Sequence, residues 1–190
     1  LSPPRRGRAR PELSLVKLDT MEDTQELLLG LDVGTTATKA LLIDVGGNVV
    51  DAAARAYDLI TPEPGWVEQD PEDLWEAVLA VIREVVTQQP SGSRVVALSQ
   101  ASQGGTTIPV DAEGKPTYRA ISWMDTRAED QAAALEKQMT AEAVRTATGW
   151  PLGPTLSLQH IRWLQQHRLD VMGRTEHLLF VNDFITRRLT

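Results

Sequence analysis

The chain has 190 residues, 42% hydrophobic and 24% charged, with a formal net charge of −7 and no cysteine. That length suits one domain with a real core, or a little more. The absence of cysteine excludes disulfides, thiolate metal sites and cysteine nucleophiles, and fits a reducing, cytoplasmic setting; no apolar run approaches the roughly 18 residues of a membrane span.

The first twenty residues differ from the rest. They hold five basic residues (Arg5, Arg6, Arg8, Arg10, Lys17), two acidic ones (Glu12, Asp19) and three prolines. They lack the apolar core of a secretory signal. A disordered basic leader is expected over 1–20, and the folded part over 21–190. A basic arm that touches nucleic acid is the sharper alternative. Without the leader, 14 basic and 24 acidic residues remain, a charge of −10. So acidic a body is a poor partner for a phosphate backbone. It can still bind a nucleotide locally, through backbone N–H groups and a metal.

The first predicted element is a hairpin over Leu27 to Asp44, LLLGLDVGTTATKALLID. Two apolar strands, Leu27 to Leu31 and Ala40 to Ile43, flank a turn rich in polar groups. Gly34 lets a phosphate approach the backbone without a Cβ in the way. Successive N–H groups in a turn form a concave anion site. Thr35 and Thr36 add hydroxyls, and Lys39 adds a point charge. Asp32 is a hard oxygen ligand of the kind Mg²⁺ takes together with phosphate oxygens. The pattern is not a Walker A loop, which needs G-x-x-x-x-G-K-[ST] before a helix. An ordinary hairpin with a polar tip is the plain alternative.

A third strand is expected over Val49 to Tyr57, completing an antiparallel meander. Asp70 is expected to cap a helix that starts at Pro71, with Leu74, Val78, Val81, Ile82 and Val85 on one face. Pro90, Ser91 and Gly92 end it. Val95 to Leu98 reads as a short buried strand, and a helix returning to such a strand points to α/β. Ser99 to Gly105 is a polar loop and Thr106 to Val110 an edge strand, because of Pro109. Asp111 to Gly114 repeats the turn chemistry of Asp44 to Gly47. Ala120 to Trp123 is a last short strand. From Asp125 the chain reads as helical, with later helices over Thr140 to Thr148, Leu156 to His167 (Leu158, Ile161 and Leu164 on one face) and Phe180 to Leu189. The three histidines read as surface or partly buried, without a catalytic role.

These segments together resemble the FGGY family of carbohydrate kinases. The resemblance rests on LLGLDVGTTATKALLID, on GWVEQDPEDLW (65–75), on VVALSQASQGGTTIPVDAEGKP (95–116), on AISWMDTRAED (120–130), and on PTLSLQHIRWL and FVNDFITRRLT, which follow in family order. It covers about residues 27–190. It implies a ribonuclease-H-like (actin-like ATPase) α/β fold, incomplete here, whose mixed sheet opens with the antiparallel meander and carries packed helices. It implies ATP-dependent phosphorylation of a small sugar or polyol, with ATP and Mg²⁺ as cofactors.

Residue by residue, the resemblance implies that Gly34, Thr35, Thr36 and Lys39 hold ATP phosphates and that Asp32 serves Mg²⁺. Ser102, Gln103 and Gly104 fall at the sugar-contacting loop, with Trp123 packing on a polyol face and Asp125 accepting from its hydroxyls. Asp125 also precedes a helix, so N-capping would explain it equally. Ser102-Gln103 matches neither the Arg-Glu pair of glycerol kinases nor the Met-His pair of xylulokinases. The family's general base, an aspartate in a G-x-D segment, is implied beyond Thr190, so no catalytic residue is assigned and the chain alone is expected to be inactive. No nucleic-acid or membrane partner is expected; a homodimer is allowed. The alternatives are a non-catalytic remnant or nucleotide-binding module of the same fold, and another actin-like ATPase.

Overall fold

The computed structural model describes residues 25–89 and 91–190. The expected leader over 1–20 and the role of Pro90 lie outside these residues. Strands β1 (Glu26–Val33), β2 (Ala37–Asp44) and β3 (Val49–Ala56) form the antiparallel meander. Their side chains alternate across the sheet with period two. Leu27, Leu29, Leu31 and Val33 point into the core, while Gly30 and Asp32 point away from it. The turn after β2 follows from its sequence. The Asp44 carboxylate accepts from Asn48 N–H at 2.8 Å, and Gly47 takes φ +86°. Asp111 and Gly114 build the same device, with Lys115 N–H on the Asp111 carboxylate at 2.8 Å and φ +84° at the glycine.

Between β3 and the first helix lies the two-residue strand β4 (Glu68–Gln69). Helix α1 (Pro71–Thr87) then begins as its sequence dictates, with Asp70 accepting the Glu72 N–H at 2.9 Å and Pro71 at the first helical position. Leu74, Val78, Val81 and Val85 face the sheet and are fully buried. The chain returns as β5 (Arg94–Ser102), parallel to β1, giving the strand order β3-β2-β1-β5. This is a mixed sheet of the ribonuclease-H-like class, with its helices on one face.

β5 differs from expectation. It runs to Ser102, so the Ser99–Ser102 stretch read as loop is strand. Nor is it buried: Val96 and Leu98 are exposed, because among the described residues β5 lies at the sheet's edge. Pairing with β1 out to Ser102 keeps the strand going, and Gln100 Nε2 donates to the Asn182 carbonyl at 2.9 Å.

The remaining elements extend this core and build a second buried cluster beside it. β6 (Ile108–Val110) pairs with β8 (His177–Leu179), and β7 (Ala120–Ile121) pairs with β4. The last strand, three residues inside a stretch read as helical, carries too little pattern to find in sequence. Helices α2 (Glu129–Glu136), α3 (Ala141–Thr148), α4 (Ser157–His167), α5 (Leu169–Met172) and α6 (Val181–Leu189) complete the chain. Helix α4 presents a different face from the one expected. Gln159, His160, Trp163 and Leu164 are buried and Leu158 is exposed, because the helix packs on the aromatic and charged cluster described below rather than on a purely apolar surface.

The sheet face opposite α1 is open. Gly30, Asp32, Lys39, Leu41, Ala52 and Ser99 line a shallow groove there of about 650 Å³. No helix of the described residues is long and apolar enough to cross a membrane.

Candidate active site

Parallel pairing of β1 with β5 decides where the site is. Val33 and Ser102 are register partners at the carboxyl ends of the two strands. The turn after β1 and the loop after β5 therefore emerge side by side, and Gln103 N–H donates to the Val33 carbonyl at 2.9 Å. Open α/β sheets bind ligands beyond the carboxyl ends of such strands.

The turn itself is held closed and leaves backbone donors facing outward. Gly34 N–H closes it on the Ala37 carbonyl at 3.0 Å. A Cβ on Gly34 would stand 3.1 Å from that same oxygen, so a larger residue would push the turn open. Among the described residues, the N–H groups of Thr35 and Thr36 have no protein acceptor. Both carbonyls that precede them are held from outside. Tyr57 donates its hydroxyl to the Gly34 carbonyl at 2.6 Å, and Gln69 Nε2 donates to the Thr35 carbonyl at 2.9 Å. Burial raises the Tyr57 phenol above its ordinary range, outweighing the Thr38 hydroxyl that donates to it, so it stays a donor at neutral pH. Asp32 and Lys39 are register partners on the open face, both exposed, with no ion pair assigned to either among the described residues.

The Gln103 loop is joined to this turn by a closed ring of hydrogen bonds. Gln69 Oε1 accepts from Gln103 Nε2 at 2.8 Å, and Gln103 Oε1 accepts from the Thr106 hydroxyl at 3.1 Å. Thr106 Oγ1 accepts the Trp123 backbone N–H at 3.3 Å, and Trp123 Nε1 donates to Thr35 Oγ1 at 3.1 Å. One carbonyl orients the entire ring. The Thr35 oxygen can only accept, so Gln69 must turn its NH₂ toward it and its oxygen toward Gln103. Gln103 must then turn its own oxygen toward Thr106. One Gln103 N–H and one Oε1 lone pair are left over for a ligand. Trp123 is 45% exposed. Ser102 Oγ turns back to the Gln103 carbonyl at 3.2 Å, and Gly104 is exposed with open space around it.

Asp125 departs from expectation. It is fully buried, and both carboxylate oxygens are taken, by Val67 N–H, Arg127 N–H and the Arg127 guanidinium at 2.7 and 2.9 Å. It does not cap the next helix, whose N-cap is Ala128 without a side-chain bond. No oxygen remains for a substrate hydroxyl. Arg127 also reaches Glu68 at 2.9 Å and lies 3.9 Å from the Trp66 ring centroid. Burial pulls the Arg127 pKa down, but the hydrogen bonds and charges of Asp125 and Glu68 outweigh it and hold the guanidinium above its ordinary value. Because strand side chains alternate, a Glu68 clamped on Arg127 leaves Gln69 facing the hairpin. The cluster thus sets the position of Gln69.

His160 is likewise buried, contrary to the surface reading. Its Nε2 stands 3.0 Å from the Asp125 carbonyl, which can only accept, so that nitrogen carries the proton. Burial lowers its pKa more than Asp125 raises it, and the ring is neutral at pH 7. His167 stacks on Trp163 at 5.2 Å. Among the described residues, no group of three or more His, Asp or Glu side chains is arranged to hold a metal.

Sequence reasoning therefore missed Gln69, Tyr57, Thr106 and the Arg127 cluster. The G-W-V-E-Q segment was visible, but nothing local shows that Glu68 and Gln69 serve opposite faces.

Comparison with known proteins agrees with this architecture. Residues 27–190 match the N-terminal domain of the FGGY family of carbohydrate kinases. A glycerol kinase from Burkholderia cenocepacia (strain HI2424) is 40% identical over 141 residues, 73% of this chain and 28% of that protein. Xylulose kinase from Rhodospirillum rubrum superposes with a TM-score of 0.80 at 30% identity, covering 84% of this chain and 33% of that one. Gluconate kinase from Lactobacillus acidophilus does so with a TM-score of 0.80 at 26% identity, over 86% and 33%. The chain thus spans less than a third of the glycerol kinase it matches. With its family match over nearly all described residues and a fold shared with solved sugar kinases, this chain belongs to the FGGY family of carbohydrate kinases.

Proposed function

We propose that the full-length protein transfers the γ-phosphoryl group of ATP to a hydroxyl of a small sugar or polyol in the cytoplasm. The observation that carries this reading is the ring joining the Gly34–Thr36 turn to the Gln103 loop at the ends of two parallel strands. A phosphate turn and a hydroxyl-binding loop held within one hydrogen-bonded unit suit a transfer that depends mostly on positioning.

In this reading the free N–H groups of Thr35 and Thr36, and the Thr35 hydroxyl proton left over by Trp123, hold phosphate oxygens. Lys39 adds positive charge. Asp32, exposed on the same face with no ion pair assigned among the described residues, would be the ligand for Mg²⁺, which supplies charge neutralisation when bound. The residues present fit that ion through one carboxylate, the usual protein share for Mg²⁺ beside phosphate. Gln103 binds the acceptor with its spare donor and acceptor, flanked by Ser102 and Gly104, and Trp123 packs on the carbon face. Asp125 acts through Val67 and Arg127 and not on the substrate. The base that takes the hydroxyl proton belongs to sequence beyond Thr190.

Two variants of the full-length protein test this. Gly34→Val with Thr35→Ala should reduce acceptor-dependent ADP formation by at least about 100-fold, the loss expected of misplaced phosphates. Unchanged turnover would remove the phosphate assignment. Gln103→Ala should raise KM for the acceptor about tenfold or more, the cost of one lost polar contact of roughly 1.4 kcal/mol. Its KM for ATP should rise far less, and equal effects on both would remove the acceptor assignment.

A further inference from the structure

Resting on the kinase reading, we propose that Gln69 is a positioning residue that couples acceptor binding at Gln103 to phosphate binding at the Thr35–Thr36 peptide. Gln69 is 1% exposed and touches both sides of the site through one amide. Its Nε2 donates to the Thr35 carbonyl at 2.9 Å, and its Oε1 accepts from Gln103 Nε2 at 2.8 Å. A peptide unit is planar, and those described here are trans. Fixing the Thr35 carbonyl toward Gln69 therefore fixes the Thr36 N–H in the opposite direction. The amide that holds the acceptor residue thus also aims a phosphate donor.

The ring's polarity makes the coupling directional. Gln103 has only one orientation that satisfies both Thr106 and Gln69. A hydroxyl bound to the spare groups of Gln103 holds it in that orientation. The Gln69 contact is then kept, and the Thr35–Thr36 peptide plane with it. Without acceptor, Gln103 can swing from Gln69, and the amide that holds the Thr35 carbonyl then loses the partner of its own oxygen. Tyr57 is the internal comparison. It holds the preceding peptide through the Gly34 carbonyl, but among the described residues its only other side-chain partner is Thr38, on the hairpin. It should support phosphate binding without sensing the acceptor.

Coupling free energies between sites commonly amount to about 5- to 150-fold in affinity. The test uses the full-length protein, a non-hydrolysable ATP analogue with Mg²⁺, and the best acceptor found by screening ADP formation. The readout is the factor by which saturating acceptor lowers the Kd of the analogue, by calorimetry. The wild type should show a factor of at least about 5. Gln69→Leu, similar in size but without the amide, should bring it below about 2, whereas Tyr57→Phe should weaken the analogue and leave the factor intact. Should Gln69→Leu fail to fold, Thr106→Val replaces it, since freeing the Gln103 oxygen should also lower the factor. A wild-type factor near 1, or an unchanged factor in the folded variant, would overturn the coupling while leaving the kinase reading in place. A wild type that phosphorylates no sugar or polyol would overturn both.

Discussion

Two arginine–carboxylate contacts with similar chemistry differ in what they are worth. Arg127 is wholly buried between Asp125 and Glu68, whose side chains are 0% and 3% exposed. Arg188 grips Glu72 through two bonds of 2.6 Å, but the Glu72 side chain is 48% exposed. Removing one partner of a buried cluster leaves an uncompensated charge in low dielectric and costs roughly 3–5 kcal/mol. A half-exposed pair is screened and yields about 1 kcal/mol or less. Arg127→Met should therefore shift the urea midpoint far more than Arg188→Met, and equal shifts would contradict the burial argument. His160 adds a pH dependence. Its folded pKa lies below the ordinary value of 6.5, so the unfolded state takes up the proton first as pH falls. Its contribution is complete above about pH 6.5 and declines below it, by up to about 1.4 kcal/mol per pH unit, until the folded pKa is passed. His160→Gln keeps a donor for the Asp125 carbonyl and should flatten the fall in melting temperature between about pH 7 and pH 5. A slope identical to wild type would show that His160 does not carry it.

At the scale of elements, local chemistry was legible and distant chemistry was not. Asp70 and Pro71 announce α1, its apolar stripe names the face that meets the sheet, and Asp44 and Asp111 each write a turn within four residues. Asp70→Ala should cost about 1 kcal/mol and Leu74→Ala, fully buried, about 2–5 kcal/mol, both read from chemical denaturation. A cap loss as large as the core loss would mean that α1 is held mainly by its end. The ring of the candidate site, by contrast, joins residues 34 positions apart at Gln69 and 88 apart at Trp123. No periodicity carries that information. The same distance explains Asp125: beside a helix it reads as a cap or a ligand, and only the fold brings Glu68 and Trp66 to Arg127. β5 misled for a related reason, since its apolar residues are those of a buried strand while its place in the sheet is at an edge.

For the whole molecule, the mixed sheet sets one face against α1 and leaves the other as an open groove that begins at Asp32 and Lys39. The Gly34–Thr36 turn, Asp32 and the Gln103 loop all stand at one end of it. That convergence suits phosphoryl transfer, and it depends on the parallel pairing of β1 with β5 more than on any single side chain. The most direct measurement is ADP formation by the full-length protein with ATP and Mg²⁺, across a panel of neutral polyols, ketoses and sugar acids. At least one acceptor should raise ADP formation well above the rate with ATP alone, and that increase should disappear in Gly34→Val with Thr35→Ala. If no acceptor raises the rate, or if the doubly substituted protein responds like the wild type, this site does not carry phosphoryl transfer.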